Sequence, residues 1–112
     1  MMSYKTVEQA RKEMKEIDPQ LLEKYKIKEV EGGVQLLRGD VANVISIISR
    51  HGPPVKSYGA EDGLYEIYIP RKDHKALESI VGRKISDDVV GYLTLSDAVE
   101  IAEAIISARS EK

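Results

Sequence analysis

Apolar residues recur every three or four positions near both ends of the chain, which predicts a helix at each end. The first helix begins after Thr6, which can form a capping box with Gln9, and a short second helical piece restarts at Asp18-Pro19. The last helix spans residues 97–109, with Ser96 as its N-cap. The residues expected to face the core are Val7, Ala10, Met14 and Ile17 in the first helix and Ala98, Ile101, Ala102, Ile105 and Ile106 in the last.

Between these helices, short apolar stretches bounded by turn residues predict strands. Residues 27–31 and 34–37 flank Gly32-Gly33 and should form a β-hairpin, because glycine adopts the positive φ that tight hairpin turns require. The remaining predicted elements are a strand over 64–69 with Tyr65, Ile67 and Ile69 on the core face, strands over 55–58 and 89–95, and a helix from about Asp73 to Gly82.

The central apolar stretch, residues 41–51, is predicted to be a buried helix. Gly39 turns the chain before it, Asp40 can cap it, and Gly52 with Pro53-Pro54 supplies a stop. Val and Ile are only moderate helix formers, so tertiary packing would have to override propensity, and a buried strand is the competing interpretation. The apolar residues concerned are Val41, Val44, Ile45, Ile47 and Ile48.

Together these elements predict an α+β fold. From residue 33 to residue 95 the order is β-α-β-β-α-β, which is that of a ferredoxin-like core with an antiparallel sheet. Two N-terminal helical segments and a C-terminal helix flank this core. We expect a single domain over residues 1–112, in which residues 1–26 pack on the α+β core of residues 27–112.

The composition narrows the classes of function. The formal net charge is −2, so the chain lacks the general attraction for phosphate backbones that nucleic-acid-binding proteins usually have. Cys is absent, which removes disulfide and thiolate chemistry, and no apolar run is long enough to span a membrane. We therefore expect a cytoplasmic location and no membrane partner. An excess of Lys and Glu with a single Asn is typical of thermophile proteins.

The junction around Gly39 and Asp40 is the candidate ligand-binding site. A turn there would lead into the predicted buried helix, whose first amides could bind an anion or a polar ligand. The order of elements and the run Gly39-Asp-Val-Ala-Asn-Val-Ile45 resemble the first strand-to-helix junction of ACT-like regulatory domains. That resemblance implies a small-molecule ligand such as an amino acid, bound near this junction at a subunit interface. The expected ligand-binding residues are Gly39, Asp40, Val41 and Asn43, and the alternative is that Asp40 only caps the helix.

All six aromatic residues are tyrosines, and three of them fall on adjacent predicted strands. Tyr58, Tyr65 and Tyr68 are the expected interface residues, and Tyr58 and Tyr68 could share the open face of the sheet. Such a face can form a dimer interface, and RNA-recognition domains stack bases on platforms of this kind. Residues 63–70 lack the basic, glycine-containing signature of those RNA binders, so nucleic-acid binding is the less favoured interpretation.

No residues form a recognisable catalytic or metal-binding motif, and no cofactor is predicted. We expect a non-enzymatic binding or interaction domain, either an ACT-like ligand sensor or an accessory subunit, that forms a homo-oligomer such as a dimer or binds a partner protein. The alternatives are a nucleic-acid-associated protein that uses the tyrosine-bearing sheet face and a small dimeric enzyme of ferredoxin-like type.

Overall fold

A five-stranded antiparallel sheet forms the centre of the fold. The computed structural model describes residues 5–39, 43–51, 57, 59–82, 84 and 89–110. The strands follow one another across the sheet in sequence order, and each is antiparallel to the next. They are β1 (Lys26–Val30), β2 (Gly33–Arg38), β3 (Ile45–Arg50), β4 (Tyr65–Tyr68) and β5 (Val89–Leu93).

The described helices precede and follow the sheet in the chain, apart from one that lies between β4 and β5. They are α1 (Val7–Ile17), α2 (Leu21–Lys24), α3 (His74–Val81) and α4 (Leu95–Ser110), with short 3₁₀ turns at Ala60–Asp62 and Arg71–Asp73. None of the helices in the described part of the chain is long and apolar enough to cross a membrane. The α+β class predicted from the sequence is confirmed.

The prediction of a buried helix in the middle of the chain is wrong, because residues 45–50 form the central strand β3. Ile45, Ile47 and Ser49 are buried, whereas the residues between them are only half-buried, so the burial has the period of a strand. Pairing with β2 on one side and β4 on the other satisfies the backbone. The β-branched residues of this segment thus follow their strand propensity.

The ferredoxin-like order is consequently not confirmed. That order requires a helix between the first two strands of the core, whereas here β2 is followed directly by its neighbour β3. The predicted strand over residues 55–58 lies outside the described residues except for Ser57, which is not part of a strand. What remains is a sheet that runs from β1 to β5 without a crossover.

Local sequence signals specify the ends of several helices. The Thr6–Gln9 capping box is confirmed: Gln9 N donates to Thr6 Oγ1 at 3.1 Å, and Thr6 N donates to Gln9 Oε1 at 2.9 Å. α3 ends at Gly82, as predicted, with a φ of 75° that glycine adopts readily. The cap of α4 is Thr94 rather than Ser96, since Asp97 N donates to Thr94 Oγ1 at 3.1 Å.

One face of the sheet carries the hydrophobic core. Leu36, Ile47 and Ile67 lie directly opposite one another on β2, β3 and β4 and are completely buried. All four helices contribute side chains to the same buried cluster, so we call this side the covered face. The helical members are Ala10, Met14, Leu21, Leu77, Leu95, Ala98, Val99, Ile101, Ala102 and Ile105.

Candidate functional site

The opposite side of the sheet is the candidate functional surface. Residues that pair directly across antiparallel strands share a face, so the register defines three rows that run across the sheet. Together these rows form what we call the open sheet face. The first row is Lys26, Leu37, Ser46, Tyr68 and Val89, the second is Lys28, Gln35, Ile48 and Glu66, and the third is Val30, Gly33 and Arg50.

The open sheet face is apolar at its middle and carries its lysines at one edge. Tyr68 is 41% exposed, and Leu37, Ile48 and Val89 are half-buried. Lys26 and Lys28 both lie on the edge strand β1, whereas the carboxylate of Glu66 lies on β4. In the described part of the chain every helix directs its buried residues to the covered face, so this surface has no helix over it.

Two polar residues of the open sheet face bond to each other. Gln35 Nε2 donates to Ser46 Oγ at 2.8 Å, which joins the second row to the first across β2 and β3. Removing a polar group from water costs less free energy when the group already has a hydrogen-bond partner. This pair therefore lowers the desolvation cost of covering the centre of the face.

The three tyrosines predicted to form an interface are not brought together. Tyr68 lies on the open sheet face, but Tyr65 is completely buried on the covered face, and Tyr58 lies outside the described residues. Tyr65 Oη donates to Glu13 Oε2 at 3.3 Å, and Lys5 Nζ pairs with the same oxygen at 2.7 Å. Burial raises the pKa of Tyr65 above its ordinary value. Tyr65 therefore holds α1 against the sheet instead of meeting a partner.

A second phenol–carboxylate contact lies at the other end of the sheet, and the sequence analysis missed it. Tyr25 Oη donates to Glu103 Oε2 at 2.7 Å, and Arg38 Nε donates to the same oxygen at 2.9 Å. Burial raises the pKa of Tyr25. Burial also acts to raise the pKa of Glu103, but the hydrogen bonds from Arg38 and Tyr25 outweigh it and hold that pKa below its ordinary value. The cluster is a structural anchor between α4 and the sheet.

The residues predicted to bind a ligand lie in the connection between β2 and β3. Gly39 is exposed and has a φ of 104°, and Asn43 is half-buried. Asp40 and Val41 lie outside the described residues. Because β3 is a strand, the buried helix whose first amides were expected to bind an anion is not formed there. The physical basis of the ACT-like prediction is thereby removed.

A shallow groove of about 510 Å³ nevertheless lies beside Gly39. Lys26 and Leu37 contribute both to this groove and to the open sheet face, so the two surfaces are continuous. Both charged and apolar side chains line the groove. Its lining residues are Glu23, Lys24, Tyr25, Lys26, Leu37, Gly39 and Val44.

Behind the Gly39 turn, an ion pair joins the two helices that follow β4. Arg109 Nη2 donates to Asp73 Oδ2 at 2.6 Å, and Arg109 Nε donates to Asp73 Oδ1 at 3.2 Å. A Cβ built on Gly39 would lie 3.5 Å from Arg109 Nη1, so the turn closes over the guanidinium. Asp73 is buried, which makes this pair part of the structural frame.

Among the described residues, no three His, Asp or Glu side chains are grouped closely enough to hold a metal ion. Comparisons of the chain with protein-family models, with curated proteins and with solved structures gave no match.

Proposed function

We propose that this protein is a non-enzymatic interaction module that self-associates by packing two open sheet faces together. The observation that carries the proposal is the uncovered face itself. An antiparallel sheet with one solvated face normally presents polar residues there. Here five of the twelve positions in the three rows carry large apolar residues, namely Val30, Leu37, Ile48, Tyr68 and Val89.

The two edges of the sheet support association through the face rather than through strand addition. β1 is an edge strand with Lys26 and Lys28, and charged edge residues are a common protection against pairing with another chain. At the other edge, the register shift between Tyr65 and Ile67 leaves one extra residue in β5, near Gly91 and Tyr92. Such a bulge disrupts a regular ladder, so neither edge favours a further strand.

The size of the open sheet face agrees with a reversible dimer. Five strands span about 19 Å from the first to the last at the usual strand spacing. Standard interfaces bury about 800 Å² on each partner, and this face reaches that range only if most of it is covered. We therefore expect dissociation on dilution rather than a permanent dimer.

The test is light scattering over a dilution series, with a pair of variants matched for exposure. Tyr68→Arg places a charge on the open sheet face, and Ile80→Arg places the same charge on α3, where Ile80 is 38% exposed against 41% for Tyr68. We expect the wild type and Ile80→Arg to approach twice the chain mass of 12.5 kDa and Tyr68→Arg to stay monomeric.

A wild type that remains monomeric at the highest soluble concentration would overturn the proposal. The proposal would also be overturned if Tyr68→Arg and Ile80→Arg had the same mass at every concentration and both kept the thermal unfolding of the wild type. If the monomer instead bound single-stranded RNA in a salt-dependent way that Tyr68→Arg altered, nucleic-acid association would replace self-association.

A second candidate function, binding of a small organic acid, is favoured by the groove beside Gly39. The two lysines of the lining, Lys24 and Lys26, outnumber its one carboxylate, Glu23, and the apolar residues Leu37 and Val44 also line the groove. Valerate, a carboxylate with a short apolar tail, is a suitable probe. Saturable NMR shifts of the Gly39 amide that weaken in Lys24→Gln, but not in Lys75→Gln on α3, would support this function, and shifts that do not saturate would exclude it.

A further inference from the structure

We infer that the open sheet face binds a dianionic oxyanion, namely inorganic phosphate or a phosphomonoester, and that this binding strengthens the dimer. The inference rests on the proposed self-association and adds the class of ligand that regulates it. The group that carries it is the guanidinium of Arg50, which lies in the third row of the open sheet face.

The side chain of Arg50 is held in place over the β1–β2 hairpin. Its Nε donates to the backbone oxygen of Glu31 at 2.9 Å, and the residue of β2 that it passes is Gly33, which has no side chain to obstruct it. The two Nη groups provide four further N–H donors. With the described residues, the guanidinium forms no other hydrogen bond or ion pair. It is therefore positioned but has donors left for a ligand.

These donors and a neighbouring lysine fit an oxyanion. The parallel N–H groups of a guanidinium bond two oxygens of a phosphate or carboxylate at once. Lys28 is exposed on the same face of β1, one row away from Val30 and about 7 Å from it along the strand. Its flexible side chain can reach the same anion, so the two cations together favour a ligand with two negative charges.

The open sheet face is positively charged, although the chain as a whole is not. Its cationic side chains are those of Lys26, Lys28 and Arg50. Its only carboxylate is that of Glu66, so the formal charge of the three rows is +2, compared with −2 for the entire chain. A symmetric dimer takes the same patch from both subunits, so two positive faces meet in any orientation of the partner.

This repulsion is large enough to regulate the dimer. Packed sheets lie about 10 Å apart, which is about the Debye length at 0.1 M salt. Two charges of +2 at that distance, in water and with that screening, weaken association about threefold. One dianion on each face brings its formal charge to zero. We therefore expect the dimer dissociation constant to fall at least about threefold when the ligand is bound.

Sulfate is a suitable probe, because it carries two negative charges throughout the neutral pH range. Light scattering over a dilution series compares low millimolar sulfate with chloride at the same ionic strength of about 0.1 M. The dissociation constant of the wild-type dimer should be at least about threefold lower in sulfate. In a parallel NMR titration, the Nε–H signal of Arg50 should shift and saturate.

Four variants separate a specific site from a general effect of sulfate on apolar burial, which would act on every variant alike. Arg50→Gln and Lys28→Gln should lose most of the response to sulfate. Arg50→Lys keeps the charge but loses the paired N–H groups, and its response should also be reduced. Arg11→Gln removes a charge from the exposed side of α1 and should respond as the wild type does. Lys28 makes no bond to Glu31, so Lys28→Gln tests the site even if Arg50→Gln lowers the stability of the hairpin.

The outcomes distinguish this inference from the proposed function. Dimers of equal strength in both solutions, or a sulfate response that Arg50→Gln retains, would overturn the inference and leave self-association intact. Monomers at every concentration in both solutions would overturn the proposed function, and the inference with it. Titrations with inorganic phosphate and with methyl phosphate identify the source of the ligand as the one that binds more tightly, and an Arg50 signal that saturates with neither would also overturn the inference.

Discussion

The hydroxyl of Tyr25 donates a 2.7 Å hydrogen bond to Glu103, a residue 78 positions further along the chain. Tyr25 precedes β1 and Glu103 lies on α4, so the bond fixes the last helix against the edge of the sheet. Tyr65 makes a similar bond to Glu13 on α1. Two phenols on the sheet side thus hold the two long helices over the covered face and leave the open sheet face clear.

Replacing Tyr25 by Phe should lower the free energy of unfolding by about 1.5 kcal/mol, because a hydrogen bond to a charged carboxylate is lost while the ring stays in place. Tyr68→Phe is the matched control, because it removes the same hydroxyl from a side chain that is 41% exposed on the open sheet face. We expect a change below about 0.5 kcal/mol for that variant. Urea denaturation at low protein concentration measures both, and equal losses would contradict the anchoring role of Tyr25.

The stability contribution of Glu103 should depend on pH in one direction. Its pKa in the folded state lies below the ordinary value of 4.5, because Arg38 and Tyr25 stabilise the carboxylate. The contribution is therefore complete above pH 4.5 and is lost as the pH falls through the lower, folded-state pKa. Wild type and Glu103→Gln should differ most in unfolding free energy near neutral pH and converge in acid. If the difference in unfolding free energy between wild type and Glu103→Gln widened in acid instead, the predicted direction of the pH dependence would be wrong.

The outer parts of the fold were predictable because their signals are local. The capping box at Thr6 and the glycine stop at Gly82 specify their helix ends within a few residues. The run from Val44 to Ile48 fits both a helical and a strand period, and only pairing with β2 and β4 decides between them. That pairing is non-local, so the sequence of the segment alone could not exclude a helix.

The candidate site was predictable only in part, for the same reason. Alternation along β4 places Tyr65 and Tyr68 on opposite faces, and the structure has Tyr65 buried and Tyr68 exposed. An interface containing both was therefore not consistent with that alternation. The bond between Tyr25 and Glu103 leaves no local signal, since its partners are brought together only when α4 packs on the sheet.

The ion pair between Asp73 and Arg109 should couple α3 to α4 energetically. Asp73→Ala leaves the Arg109 guanidinium without its carboxylate, and we expect a loss of about 2 kcal/mol in unfolding free energy, since the arginine side chain retains 20% exposure. Asp73 makes no capping hydrogen bond through its side chain, so the loss reports the ion pair. A double-mutant cycle with Arg109→Ala should give a coupling energy of about 1 kcal/mol or more, and strict additivity would show that the pair contributes nothing.

Two glycines allow a matched test of the contact between β2 and β3. A Cβ on Gly33 would lie 1.9 Å from the carbonyl oxygen of Ser49, whereas a Cβ on Gly82 would meet nothing within 4 Å. Gly82→Ala bears only the cost of its φ of 75°, about 1 kcal/mol. Gly33→Ala must push β3 away along its backbone and should cost more than about 3 kcal/mol. Urea denaturation measures the loss of unfolding free energy in each variant. Equal losses would mean that β2 and β3 do not approach as closely as the pairing of Gly33 with Arg50 requires.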